Sequence, residues 1–110
     1  MKKKNPYTKT ELTKHLKKAK LDWSMTPKAT QINKQFSFKD YLDAFMFVAR
    51  VSVHAEILKH HPDIELSYGK VKVKLTTHDL KGVSKLDVDL AKRIEHVADR
   101  INARGKQKQN

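Results

Sequence analysis

Six histidines occur in this 110-residue chain. Three of them bracket one short stretch, "KHHPDIELSYGKVKVKLTTHD", from Lys59 to Asp79. His60 and His61 are adjacent at its start and His78 nearly closes it. An unperturbed imidazole titrates near pH 6.5, so at neutral pH one ring can give up a proton while another accepts one. Crowded rings resist being charged together, which divides their roles into acid and base. A dehydration asks for that division: an acid protonates the departing hydroxyl and a base takes a proton released elsewhere. Two other readings stand beside it. Three histidines are also a zinc set, although adjacent ones diverge in helix and strand alike and no i, i+4 pair is present. Or all three are solvated surface groups.

The elements that would position these rings can be read from pattern. Thr8 or Thr10 caps a first helix running to about Lys20, with Leu12, Leu16 and Ala19 at helical spacing. "QINKQFSF" alternates as a strand, and Trp23 falls just before it on a short partner strand. Asp40 opens the strongest helix, which ends near Lys59. Its core face is read as Tyr41, Ala44, Phe45, Val48, Val51, Ser52, Ala55 and Leu58, with Phe47, Val53 and Ile57 outside that stripe. A helix apolar on more than one side is central or lies at an interface, and in a small domain the interface is preferred. Pro62 pushes His61 out of helical conformation, so the helix stops before the histidine pair.

From Ile64 to Thr77 the chain reads as a hairpin turning at Gly69, its second arm alternating Val71, Val73 and Leu75 with lysines. If Tyr68-Gly69 are the turn residues, His60 lies opposite Thr77. If Gly69-Lys70 are, His61 lies opposite His78. Both registers bring the end of the second strand beside the histidine pair, where cross-strand neighbours sit roughly 5 Å apart at Cβ. Ser84 caps a last helix in a capping-box-like pattern with Asp87, and Leu86, Leu90, Ile94, Val97 and Ile101 form its buried stripe. The order helix, strand, helix, hairpin, helix predicts an α+β fold with helices packed on one face of an antiparallel sheet.

Composition narrows the function classes. The absence of cysteine excludes disulfides, thiolate catalysis and cysteine-ligated metals. No apolar run reaches the ~20 residues of a membrane span, and the basic start "MKKKNPYTK" has no apolar stretch behind it. A cytoplasmic protein is expected, with a nuclear location as the alternative. The net charge of +12 raises nucleic acid as a partner, but the lysines are dispersed and no aromatic residues interleave with them as a stacking platform. The chain is read as one domain over 1–110, with flexible basic ends at about 1–7 and 103–110. His15 and His96 are read as exposed. His54 is read as solvated, with a facing helix as the alternative. Glu56 lies one turn before His60 and is read either as orienting it or, equally, as a plain helix-surface carboxylate.

Glu56, "HHP" at His60–Pro62, Tyr68, "TTHD" at Thr76–Asp79 and Asp87, with Trp23 and "FSFKDYLDAFMFVARVSVHAE" upstream, resemble the pterin-4a-carbinolamine dehydratases over roughly Leu21 to Ile101. The resemblance implies a four-stranded antiparallel sheet with three helices on one face. It implies a homodimer or homotetramer formed partly through the central helix. It also implies loss of water from a 4a-hydroxytetrahydropterin, without metal or organic cofactor. On this resemblance His60, His61 and His78 are the catalytic set. Lys59, His60, His61, Thr76, Thr77, His78 and Trp23 bind the pterin, and Glu56 and Asp87 support the site. Three positions depart from the family's common pattern: Ile64 stands for an aromatic residue, Lys81 for a glycine and Lys59 for a small acidic or amide residue. A non-catalytic binding protein, either a transcription-factor dimerisation partner or a basic nucleic-acid-binding module, is the alternative function.

Overall fold

The computed structural model of the chain describes residues 5–107. In chain order it has α1 (Lys9–Lys18), β1 (Ser24–Met25), β2 (Ile32–Ser37), α2 (Tyr41–Leu58), β3 (Asp63–Ser67), β4 (Lys70–Leu75), a 3₁₀ turn (His78–Leu80) and α3 (Lys85–Gln107). The strands form one antiparallel sheet in the order β1-β2-β4-β3. The α+β architecture expected from the sequence is therefore the observed one.

Strand alternation makes the two faces of the sheet chemically opposite. On one face Ile32 pairs with Leu75, while Phe36, Val71 and Leu66 share a rung. This face, with Val73, enters the core together with Leu12 and Leu16 of α1 and the inner sides of α2 and α3. On the other face the rungs are Asn33–Lys74–Asp63, Gln35–Lys72–Glu65 and Ser37–Lys70–Ser67. The hairpin takes the register with Tyr68-Gly69 as its turn, since Ser67 pairs with Lys70. Gly69 is needed there twice over. Its φ is +67°, and a Cβ would sit 3.1 Å from the Phe38 carbonyl oxygen.

Thr8, rather than Thr10, caps α1 and forms a full capping box with Glu11. Asp40 caps α2 by accepting from the Asp43 amide at 2.8 Å. The core face of α2 differs from the expected stripe. Its buried residues are Ala44, Phe47, Val51 and Ala55, and Phe47 packs on Phe36 and Phe38 with centroids 5.0 and 4.8 Å apart. Tyr41 and Phe45, read as core, are about half exposed. Periodicity cannot choose among the sides of a helix that is apolar nearly all round; the aromatic slot offered by β2 does. Together with Leu42, Val53 and Ile57, Tyr41 and Phe45 leave an uncovered apolar stripe along α2.

In α3, Leu90, Ile94, Val97 and Ile101 are buried as expected, but Leu86, in the first turn, is 42% exposed. The basic ends fall partly outside the described residues, at 1–4 and 108–110. Within the described part, the Tyr7 amide donates to the Val83 carbonyl at 2.8 Å, and α3 continues to Gln107. No helix among the described residues is long and apolar enough to cross a membrane.

Candidate functional site

The end of α2 decides where the histidine pair points. The helix closes at Leu58, and Lys59 takes left-handed φ, ψ of 52° and 42°, its amide donating to the Ala55 and Glu56 carbonyls. The His60 amide then donates back to Ala55 at 3.0 Å. This is a Schellman closure with lysine at the position glycine usually fills. The reversal turns His60 inward toward α3 and leaves His61 outside.

His60 is buried, and its Nε2 lies 2.5 Å from Oδ1 of Asp87, which is fully buried. Asp87 is the third residue of α3, and its other oxygen, Oδ2, accepts from the Ser84 amide at 2.9 Å and from Thr77 Oγ1 at 2.7 Å. With the Thr77 proton on Asp87, the Ser84 hydroxyl donates to Thr77 at 2.7 Å. One carboxylate thus caps α3, ties down the end of β4 and holds the imidazole. Three converging donors suit an ionised carboxylate. That arrangement fixes the neutral His60 ring as the Nε2–H tautomer, with the lone pair on Nδ1. Among the described residues no sealed side-chain nitrogen or oxygen lacks a partner. Nδ1 of His60 makes no hydrogen bond and is not completely sealed, although the side chain is only 10% exposed.

His61 is exposed and pairs across 2.6 Å with Glu56. Glu56 therefore meets His61 rather than His60, because the left-handed Lys59 swings His61 back over the last turn of α2. His78 is exposed and opens the 3₁₀ turn directly after Thr77. The loop behind it is closed by Thr77 N–H to Gly82 O at 2.8 Å and Lys81 N–H to His78 O at 3.1 Å. Thr76 ties the same end of β4 to the β1–β2 loop, its hydroxyl donating to the Thr30 carbonyl at 2.6 Å. The backbones of the three histidines thus belong to one end of the sheet, joined through Thr77 and Asp87. Their rings separate into one inward and two outward. No three His, Cys, Asp or Glu side chains among the described residues are grouped as metal ligands.

The remaining expected site residues lie as follows. Lys59 is exposed at the helix turn. Trp23 sits in the core, edge-on to Phe36, and its indole N–H donates to Glu95 at 2.9 Å. The same carboxylate oxygen accepts from Lys34 at 2.6 Å. A cavity of about 310 Å³ adjoins Thr77 and Ser84 and is walled by Tyr7, Leu80 and Leu86; none of the three histidines lines it. Burial pushes the Tyr7 phenol above its ordinary value, Asp89 and Glu11 add to this, and Lys85 opposes it. Sequence reasoning missed Ser84 as part of the histidine network and Asp87 as the direct partner of His60. The capping-box spacing that marked both residues was the available signal.

A family model described as "Pterin 4 alpha carbinolamine dehydratase" matches residues 5–97. A Rhodospirillum rubrum protein assigned as a pterin-4-alpha-carbinolamine dehydratase is 43% identical over 76 residues, which span 69% of this chain and 79% of that protein. One from Sulfurisphaera tokodaii, with the same assignment, is 42% identical over 90 residues, 82% of this chain and 94% of that protein. The crystal structure of a transcriptional coactivator/pterin dehydratase from Brucella melitensis superposes with a TM-score of 0.80 at 36% identity, covering 86% of this chain and 99% of the other.

Proposed function

The chain belongs to the pterin-4a-carbinolamine dehydratase family, and from that premise we propose how its residues remove water from a 4a-hydroxytetrahydropterin. The physiological substrate on this reading is 4a-hydroxytetrahydrobiopterin, and the product is the quinonoid dihydropterin returned to tetrahydrobiopterin recycling. The observation that carries the mechanism is the buried His60–Asp87 pair with Nδ1 of the ring left without a hydrogen bond. The pterin lies over that atom, beside the outward rings of His61 and His78 and the backbone of Thr76–His78.

The chemistry needs two proton handlers and no electron sink. An acid protonates the C4a hydroxyl. The N5 lone pair then forms the C4a=N5 bond as C4a–O breaks and water leaves. The N5 proton passes to a base. His60 is the base: its Nδ1 lone pair takes the N5 proton, and Asp87 stabilises the imidazolium that results, much as a carboxylate does behind a catalytic histidine elsewhere. His78 is the acid, an exposed ring that exchanges protons with solvent, and His61 assists beside Glu56. Self-association through the apolar stripe of α2 accompanies this reading.

The test is to generate the carbinolamine in situ and follow its dehydration. Wild type should exceed buffer, and His60→Ala and His78→Ala should each lose about 10²–10⁴ in rate. A wild type no faster than buffer would sink the enzymatic reading. The uncovered stripe of α2 also favours a second reading, a binding protein that docks a partner there. It would be supported if His60→Ala left the chain's biological role intact while Leu42→Glu abolished it.

A further inference from the structure

We propose a second ligand site, separate from the histidine network: a cavity between α2 and α3 that takes the phosphoryl group of a small phosphorylated molecule. The cavity measures about 370 Å³ and is lined by Arg50, Val53 and His54 of α2 and by His96, Val97 and Arg100 of α3. That volume falls in the range of small-molecule sites and exceeds what a bare ion needs.

The lining contains no carboxylate. Arg50, Arg93 and Arg100 enter none of the ion pairs among the described residues. The nearby acids are turned elsewhere or committed. Glu95 accepts from Trp23 and Lys34 on the sheet side of α3, Asp43 on α2 pairs with Lys39, and Asp99 is absent from the lining. Arg50, Arg100 and His96 are exposed, so solvent screens their charge; what marks the groove is a guanidinium from each helix with no carboxylate between them.

The histidine tautomer adds to the case. Arg93 Nη1 lies 3.2 Å from His54 Nδ1. Arginine only donates, so Nδ1 of His54 accepts and the ring carries its proton on Nε2. His54, a lining residue, therefore has its N–H donor at Nε2. Two arginines, one on each helix, carry more N–H donors than the two oxygens of a planar carboxylate accept in one plane. They match the three terminal oxygens of a phosphoryl group. Val53 and Val97 supply an apolar wall for the rest of the molecule. Arg50 and His54 lie on the α3 flank of α2, and the site borders the apolar stripe at Val53, with Ile57 one turn beyond.

Calorimetric titration of the full chain with pyrophosphate, in about 0.15 M salt to screen diffuse attraction, tests this. One saturable site per chain is expected. Arg50→Gln/Arg100→Gln should weaken it roughly tenfold or more. His96→Trp, at an exposed lining position outside the α2 stripe, fills the groove and keeps both arginines, and should weaken it as well. The dehydration rate should be unchanged in both variants. The proposal is overturned by the absence of saturable heat or by equal binding in all three proteins. It is also overturned by a single-stranded oligonucleotide that binds tighter than pyrophosphate through the same two arginines. If the double variant changes only the oligomeric state and wild type binds no pyrophosphate, the cavity is a contact between copies and the proposal falls.

Discussion

Two histidine–carboxylate pairs lie side by side at the end of α2, with nearly equal lengths and unequal surroundings. His60 and Asp87 meet at 2.5 Å with side chains 10% and 0% exposed; His61 and Glu56 meet at 2.6 Å with side chains 63% and 77% exposed. Distance alone would rank them together. Burial separates them, because a charge pair sheltered from water is screened far less, and removing one partner strands the other. The exposed pair competes with solvent at every moment and is worth about 0–1 kcal/mol. The inner pair is also woven into secondary structure: its carboxylate caps α3 and anchors Thr77, while Glu56 touches only His61.

Substitutions should widen or collapse that contrast. The largest effect is expected from Asp87→Ala, which leaves His60, Thr77 and the Ser84 amide without their acceptor. Urea unfolding should register a loss of about 3–5 kcal/mol, and a loss under 1 kcal/mol would erase the distinction between the pairs. Thr77→Val keeps the shape and removes one donor to the same carboxylate. About 1.5–3 kcal/mol is expected by the same measurement. Glu56→Gln should change stability by less than about 1 kcal/mol; a larger loss would mean that the outer pair carries structural weight that its exposure denies. The smallest effect concerns Tyr7, beside the cavity behind Thr77. Its phenol is raised in the folded state, chiefly by burial, so the unfolded chain loses that proton first. The contribution is fully present below about pH 10 and fades as pH rises through the folded value. Tyr7→Phe should therefore flatten the alkaline end of the stability–pH curve and leave the neutral region alone.

The contrast also marks what could be read before the fold was known. Local signals were sufficient for the elements: Asp40 and Ser84 as caps, Pro62 after a helix end, Gly69 in a turn, lysines alternating with valines along β4. Each acts over a few residues. The face of α2 was not legible, because Phe45 and Phe47 are equally apolar and only the aromatic slot of β2 selects between them. The pairing of Glu56 was misread for a related reason. It depended on one backbone reversal, at Lys59, and a lysine gives no hint of left-handed φ. The convergence of His60 and Asp87, separated by 27 positions, required the packing of α2 on α3. The sequence held the residues for this contact; their meeting is a tertiary fact.

The central claim is that the inner pair, and not the outer one, moves the proton. It is tested most directly by carbinolamine dehydration rates, as a function of pH, for Asp87→Asn and Glu56→Gln. Asparagine fills the same space but no longer fixes the His60 tautomer. Asp87→Asn should lower kcat by about 10²-fold or more, with a small change in KM and an altered pH profile. Glu56→Gln should stay within about threefold of wild type at every pH. Equal losses in the two variants, or an Asp87→Asn enzyme with wild-type kcat and pH profile, would contradict the account.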